Sequence, residues 1–442
     1  MASSVTQLWA PLAWLESAWH ERVLFTIDDG GNWRSIVAGV SDAPSGATVL
    51  AGPALPGLVN AHSHAFQRAF AGLAEHRGTS DDDFWSWRER MYAVANRIGP
   101  DELREIATRL YVEMLRGGYT QVCEFHYLQH APDGSRYADP LVMSRPLCDA
   151  AIATGLGLTV LPVLYERAGF GADGLRDDQR RFATSVDDVI AIREGVRTLA
   201  VERLNAGVAI HSLRAARPAS IAKLADRCAD DAGPIHVHVA EQTREVDDCV
   251  AATGRRPIEW LLDNVPLDAR WHLVHATHTT PQEIDSVAGR NAGVVLCPTT
   301  EANLGDGLPD LERWLASGVR LSIGSDSQVT RDWREELRLL EYGQRLAQRR
   351  RNIAADEHRS TATRLFERAL EASGPAAGLA RWGLVAGARA DLVVSDPRDD
   401  SLRDVPVAHL LDAMVFVSPA KPFRDVMVGG KWVLQGGGLV SD

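Results

Sequence analysis

The segment LPGLVNAHSHAFQR, residues 55–68, limits what this chain can fold into more than any other stretch. It ends an apolar run with His62 and His64, one residue apart. Histidine fills a core poorly, and at period two on a strand both rings point the same way. Paired imidazoles on one face are a metal-ligand pattern, and a metal needs further ligands. The fold must therefore carry other ligating residues to the end of this strand.

The middle of the chain suggests how. Candidate strands fall at 55–60, 119–125, 158–164, 207–210, 234–240, 271–275, 293–297 and 319–324. Helical stretches separate them. In DELREIATRLYVEMLRGG the apolar positions recur at helical spacing and a glycine pair ends the run. Eight strand–helix units over residues 55–376 predict an α/β fold, a closed TIM-like (β/α)8 barrel. A doubly wound sheet alternates in the same way. The count of eight and the histidines at strand ends favour the barrel. Long loops at 128–144 and 165–185 follow the second and third strands, where a barrel enzyme builds its pocket.

The two ends of the chain read differently. VLFTIDDGGNWRSI alternates about a DDGGN turn, a hairpin signal. RADLVVSD, AMVFVS and FRDVMVGGKWVLQGG read as more short strands and turns. The expectation is a small β-sandwich domain made by both termini, residues 1–54 and 377–442, flanking the barrel of residues 55–376.

The C-terminal ends of the proposed strands hold most of the ligating side chains. PIHVHVAE offers His236, His238 and Glu241; WHLVHATH offers His272, His275 and His278; LSIGSDSQ offers Asp326. Imidazole nitrogens with one carboxylate suit a borderline divalent ion, zinc before iron or manganese. Parity cannot separate His236 from His238. Position favours His238, nearer the active end and three residues before Glu241, and leaves His236 as a packed inner residue. His275 closes its apolar run, whereas His272 opens it. One histidine at a strand end is usually an ordinary polar residue. Four such features in order on separate strands are not.

Bulk properties exclude other classes. Against 59 acids there are 47 bases, a formal charge of −12 with no basic stripe, so nucleic acid is not an expected partner. The RRR at 349–351 reads as a solvated helix end. Cys123, Cys148, Cys228, Cys249 and Cys297 are scattered, odd in number and without a CxxC pair, which fits a reducing, cytoplasmic compartment. No signal peptide and no apolar run of about 18 residues is seen, so no membrane span is expected. Nucleotide-binding glycine motifs and a G-x-S-x-G elbow are missing, and GDGLPD at Gly305 is only a turn-rich segment.

PGLVNAHSH, HVHVAE, LVHATH and IGSD resemble the metal-dependent deaminase branch of the amidohydrolase superfamily. The resemblance implies one divalent metal in the barrel mouth, held by His62, His64, His238 and Asp326. It places His275 on the attacking water or the leaving group and makes Glu241 the proton shuttle. HAFQRAFAGL, FWSWRERMY, EFHYLQH and HSLRA are similar to the formimidoylglutamate deiminases of histidine degradation. That likeness implies hydrolysis of N-formimidoyl-L-glutamate to N-formyl-L-glutamate and ammonia. It puts Gln67, Arg88, Tyr127, His211 and Arg214 on a small dicarboxylate substrate, and implies a homodimer. Two positions depart from the pattern. Ile210 stands where a proline is expected, and Gln328 where related deaminases often carry histidine, which touches how Asp326 is held.

Several neighbours have blander readings. Arg68 has a structural salt bridge as its alternative. Trp85 and Trp87 suit core packing as well as a pocket wall, and Cys123 and Cys297 are expected to pack. A deaminase of a purine, pyrimidine or S-adenosyl compound would need aromatic or amide contacts to a ring, whereas two arginines and a tyrosine suit a diacid. A barrel that has lost catalysis and serves as an assembly module is opposed by the intact ligands and Glu241.

Overall fold

A computed structural model describes residues 6–77, 82–417 and 423–440. Eight parallel strands form the barrel in chain order: Leu58–Ser63, Tyr119–His126, Gly157–Leu164, Val208–Ile210, Ile235–Val239, Trp271–His275, Gly293–Leu296 and Arg320–Ile323. A ninth short strand, Leu204–Ala206, pairs beside the third. Nearly every residue in the eight strands is buried. That follows from their composition: strands covered on both faces, by helices outside and side chains inside, read as continuous apolar runs.

The barrel closes between its first and eighth strands at the expected ligand positions. Ser63 and Asp326 form a parallel bridge, His64 N–H donates to Asp326 O, and Asp326 N–H donates to His62 O. Gly324 is required there: a Cβ would lie 2.6 Å from the Cβ of His62.

The helix expected from DELREIATRLYVEMLR spans Pro100–Arg116, buries Leu103, Ile106, Leu110 and Met114, and ends at the glycine pair. The first barrel strand is shifted from its expected place. Ala54–Leu55 belongs instead to the terminal sheet, pairing with Ala13 and Val393, and the chain enters the barrel only after Pro56 and Gly57. A Cβ on Gly57 would meet Thr120 at 2.3 Å, so this crossing tolerates only glycine.

Strands from both termini form one nine-stranded sheet. Ala18–Ile27 and Trp33–Val37 make the hairpin signalled by DDGGN, and Thr6–Leu15 makes another with Ala18–Ile27. Near the other terminus, Phe423–Val428 and Lys431–Gln435 meet at Gly429 and Gly430, both at positive φ, as a tight hairpin turn requires. This sheet has its own apolar cluster around Phe25, Trp33 and Leu392, while Leu12, Trp14, Val426 and Val433 pack into the barrel's core.

AMVFVS is not a strand. Leu410–Phe416 is a helix that buries Leu410, Leu411, Met414 and Val415 against the helices Trp333–Gln348 and Thr361–Ala376; Ser418 lies outside the described residues. Its valines suggested a strand, but the buried positions recur at helical spacing.

Candidate active site

Four side chains converge at the seam. The Nε2 atoms of His62 and His64 lie 3.2 Å apart, and Nε2 of His238 lies 3.0 Å from that of His62. Asp326 Oδ1 is 3.5 Å from His62 Nε2 and 3.3 Å from His64 Nε2. Donors about 2.1 Å from an ion at tetrahedral angles lie about 3.4 Å from one another; the four distances above come near that spacing, and His62, His64 and Asp326 form one group within 4.8 Å while His238 joins it through His62. The chemistry fits too. Burial pushes His62 down to about 3 and lowers His64 and His238, so the rings are neutral. His64 Nδ1–H donates to Phe125 O at 2.8 Å, leaving its Nε2 lone pair for the shared centre. Burial opposes ionisation of Asp326, yet its imidazole neighbours His62, His64 and His275 together hold it below the usual carboxylate range. Facing lone pairs and a carboxylate repel one another unless a cation sits among them.

Next to this cluster, His275 Nδ1 lies 3.3 Å from Glu301 Oε1, which also accepts Cys297 N–H. Its Nε2 faces Glu241 Oε1 at 3.6 Å and Asp326 Oδ2 at 3.7 Å. Burial alone would lower His275; Glu241, Glu301 and Asp326 instead push it up to about 10. Glu241 is pushed up to about 7 by burial, with His275 opposing. Glu245 accepts the backbone N–H groups of Ala240 and Glu241, which fixes the turn that aims Glu241.

Backbone strain collects at the same place. Ala240, His275, Ala276, Asp326 and Gln328 all have positive φ, between 45° and 70°, at or just beyond strand ends. Gln328, the departure noted in the sequence, ties this seam together. Its Nε2 donates to Asp326 O at 2.7 Å and to Ser63 Oγ at 2.9 Å, and its Oε1 accepts from Ser325.

The expected substrate residues line one pocket with His64, His238, Glu241, His275 and Asp326. Gln67 Nε2 donates to Tyr127 OH at 3.0 Å. Arg88 and Arg214 are buried, and their guanidinium carbons lie 4.6 and 5.0 Å from the ring centre of Trp85. Nε and Nη1 of Arg88 and Nη1 of Arg214 have no hydrogen-bond partner among the described residues. His211 is held neutral by burial and by the charge of Arg214. About 40 Å³ of this pocket is free, less than an open ligand pocket of several hundred Å³. A roomier cleft of about 680 Å³, lined by Glu113, Arg116, Arg331 and Arg424, gathers no histidines and lies away from the strand ends.

The blander readings also find their places. His236 Nε2 donates to Ala376 O at 2.9 Å beside His272, away from the cluster. Arg68 forms a paired salt bridge with Glu113. Cys123 and Cys297 are buried. Sequence reasoning missed Glu301 and Asp306, because the seventh strand ends without a histidine to draw attention to it. It left Trp85 and Trp87 undecided between core and pocket; Trp87 lines the pocket, and Trp85 lies against the guanidiniums of Arg88, Arg214 and Arg244.

Comparison with known proteins gives the same picture. The amidohydrolase family model matches residues 54–433. The chain is 44% identical over 435 residues to a formimidoylglutamate deiminase of Pseudomonas aeruginosa, covering 98% of this chain and 95% of that one. It is 27% identical over 383 residues to a 5-methylthioadenosine/S-adenosylhomocysteine deaminase of Natronomonas pharaonis, covering 86% and 81%. The crystal structure of an amidohydrolase from Brucella melitensis superposes with a TM-score of 0.93 at 41% identity, covering 98% and 96%.

Proposed function

The chain belongs to the amidohydrolase family, and on that premise we propose that it hydrolyses N-formimidoyl-L-glutamate to N-formyl-L-glutamate and ammonia. The observation that carries this reading is the pair of buried guanidiniums with unused N–H groups in the same pocket as the histidine–aspartate cluster. A buried cation without a partner is costly, and arginine binds carboxylates bidentately. The substrate has a glutamate's two carboxylates for that end and a cationic amidine for the acidic end. Arg88 and Arg214 take the carboxylates. Gln67, Tyr127 and neutral His211 complete that end with uncharged hydrogen bonds.

His62, His64, His238 and Asp326 would hold one divalent ion, zinc by the chemistry of three imidazoles and a carboxylate. Such an ion supplies Lewis acidity and makes water a nucleophile near neutral pH. Asp326 takes the proton of the attacking water. His275, fixed by Glu301 on one side, stands beside both Asp326 and Glu241 and steadies charge as the C=N carbon becomes tetrahedral. Glu241 receives the amidinium as a carboxylate, takes over from Asp326 the proton that came from water, and delivers it to the departing nitrogen. Ammonia leaves and a formyl amide remains, with no covalent enzyme intermediate. Phe84, Trp87 and Leu304 line the narrow free space.

The runner-up, deamination of a purine, pyrimidine or S-adenosyl compound, leaves both guanidiniums without an anion. An inactive barrel leaves the ligand cluster without a use. Ammonia release from N-formimidoyl-L-glutamate, alongside guanine, cytosine and adenosine compounds, tests all three; release from a ring substrate alone would overturn our reading. A cytoplasmic setting is supported by five buried free thiols. The homodimer rests on the family likeness and is tested by light scattering. No described helix is long and apolar enough to cross a membrane.

A further inference from the structure

Beyond the helix that follows the seventh strand, Asp306 is 4% exposed. One ligating atom each from Asp306, Glu241 and His275 lie within 4.8 Å of one another. Gln242 Nε2 donates to Asp306 Oδ1, which fixes the carboxyl from one side. Its Oδ2 is buried with no partner among the described residues. The groups around it are Glu241 and Gln242 after the fifth strand, His275 and His278 after the sixth, Glu301 before it, and Asp326 after the eighth.

Most of these carboxylates already have partners. Glu245 and Glu301 accept backbone N–H groups, and Asp326 faces the imidazoles. Glu241 and Asp306 are left as two buried carboxyls close to each other, with His275 and, at Glu241, the charge of Arg214 to balance them. Two such groups do not both ionise, and the pair holds one proton between them.

We infer that Asp306 is a positioning residue for Glu241: it keeps the pair's proton on Oδ2 and donates that hydrogen bond to the Glu241 carboxylate. The assignment rests on the shuttle role given to Glu241 above. Burial, then the charge of Glu241, pushes Asp306 up to about 9, in keeping with a proton that stays on through neutral pH. The shared hydrogen bond holds Glu241 ionised and correctly oriented when the cationic amidine arrives. After the shuttle has delivered its proton, Glu241 returns to the same bond. No net proton is added or lost at Asp306.

The test compares Asp306→Asn and Asp306→Ala with the wild-type holoenzyme across a pH series. In D306N the amide oxygen still accepts from Gln242 and the NH2 group donates where the O–H did. We expect D306N to keep kcat within severalfold and to lose the alkaline fall in activity that ionisation of Asp306 causes. D306A should lower kcat at least about tenfold with KM little changed. A purely structural role would lower stability in both variants and leave the shape of the pH profile unchanged. An unaltered alkaline limb in D306N, or wild-type kcat in D306A, overturns the inference; if D306A does not fold, the isosteric D306N decides alone. Glu241→Gln separates the two claims. An active E241Q overturns the shuttle role itself, while an inactive E241Q beside a D306N with an unaltered limb overturns only the role of Asp306.

Discussion

The two ends of the pocket are unfinished in opposite senses. At the seam, three neutral imidazoles and an aspartate face one another, a set that suits a cation. Around Trp85, the buried guanidiniums of Arg88 and Arg214 lie over an aromatic ring and keep N–H groups with no partner among the described residues, a set that suits an anion. Each end alone is a cost to folding. Together they describe a ligand: positive and reactive at one end, twice negative at the other, with a metal completing the first. The pocket is specified by what it leaves unpaired as much as by what it bonds.

The largest effect should come from breaking the seam end. Chelation should abolish turnover, and a return of activity with zinc would identify a competent ion. Glu241→Gln, which keeps the shape and removes the exchangeable proton, should cost roughly 10²–10⁴-fold in kcat with KM nearly unchanged. Metal content should stay at one ion per chain in E241Q and fall in His238→Ala. Equal metal loss in both would mean that Glu241 is a ligand.

The arginine end should respond in another way. Arg88→Ala or Arg214→Ala should each lower kcat/KM about 10–150-fold, corresponding to roughly 1.5–3 kcal/mol for a charged hydrogen bond. The loss should vanish for a formimidoyl substrate that lacks the matching carboxylate. Arg88→Met sharpens the contrast, because it removes a buried unpaired cation and keeps the stem's packing. The substrate-free protein should melt about a degree or more higher while activity falls. A lower Tm would mean that stacking on Trp85 already compensates the charge.

A smaller effect is expected in the pH profile. Burial raises the Glu241 carboxyl from its ordinary range to about 7, and a nearby divalent ion draws it back down. The carboxylate is the form that meets the amidinium. Activity should therefore reach its plateau above about pH 7, before the alkaline limb set by Asp306, and fall as pH drops through a value between about 4.5 and 7. A kcat/KM flat down to pH 4 would separate Glu241 from substrate binding.

The two ends also differed in how far the sequence revealed them. Ligands for the seam sit at strand ends, and strand ends can be read from apolar runs, so HxH, HxxE and GSD were visible as a set. The barrel followed from the same runs. The entry to the first strand did not: nothing in LPGLVN shows that Leu55 pairs with the terminal sheet before Pro56 and Gly57 turn the chain. Nor did AMVFVS, which reads as a strand until its packing partners are known. Asp306 and Glu301 reach the site from loop and helix positions with no period to mark them. At the arginine end, Arg88 and Arg214 were reached through family likeness. Their unpaired state, which gives them meaning, is a property of the folded pocket alone.

The smallest effect on activity is expected at the barrel's other histidines, which test whether seam chemistry needs more than imidazoles. His236 and His272 lie with ring centres 4.8 Å apart, as near as His62 is to His238, yet the hydrogen bond recorded for His236 goes to Ala376 O and no carboxylate enters a ligand group with either ring. Without an anion to share, a ring pair of this kind is core. His236→Ala should leave metal content and kcat within about twofold, and should cost roughly 2–4 kcal/mol through a cavity and a lost bond. Its pH behaviour should give it away. Burial lowers His236 to about 4, so its contribution to stability is present above about 6.5 and lost as pH falls towards 4, where the unfolded chain binds the proton first. Between those values wild-type Tm should therefore drop more steeply with acid than that of H236A. Parallel slopes would mean that the ring titrates freely in the folded protein, and loss of metal in H236A would extend the site one layer deeper into the barrel.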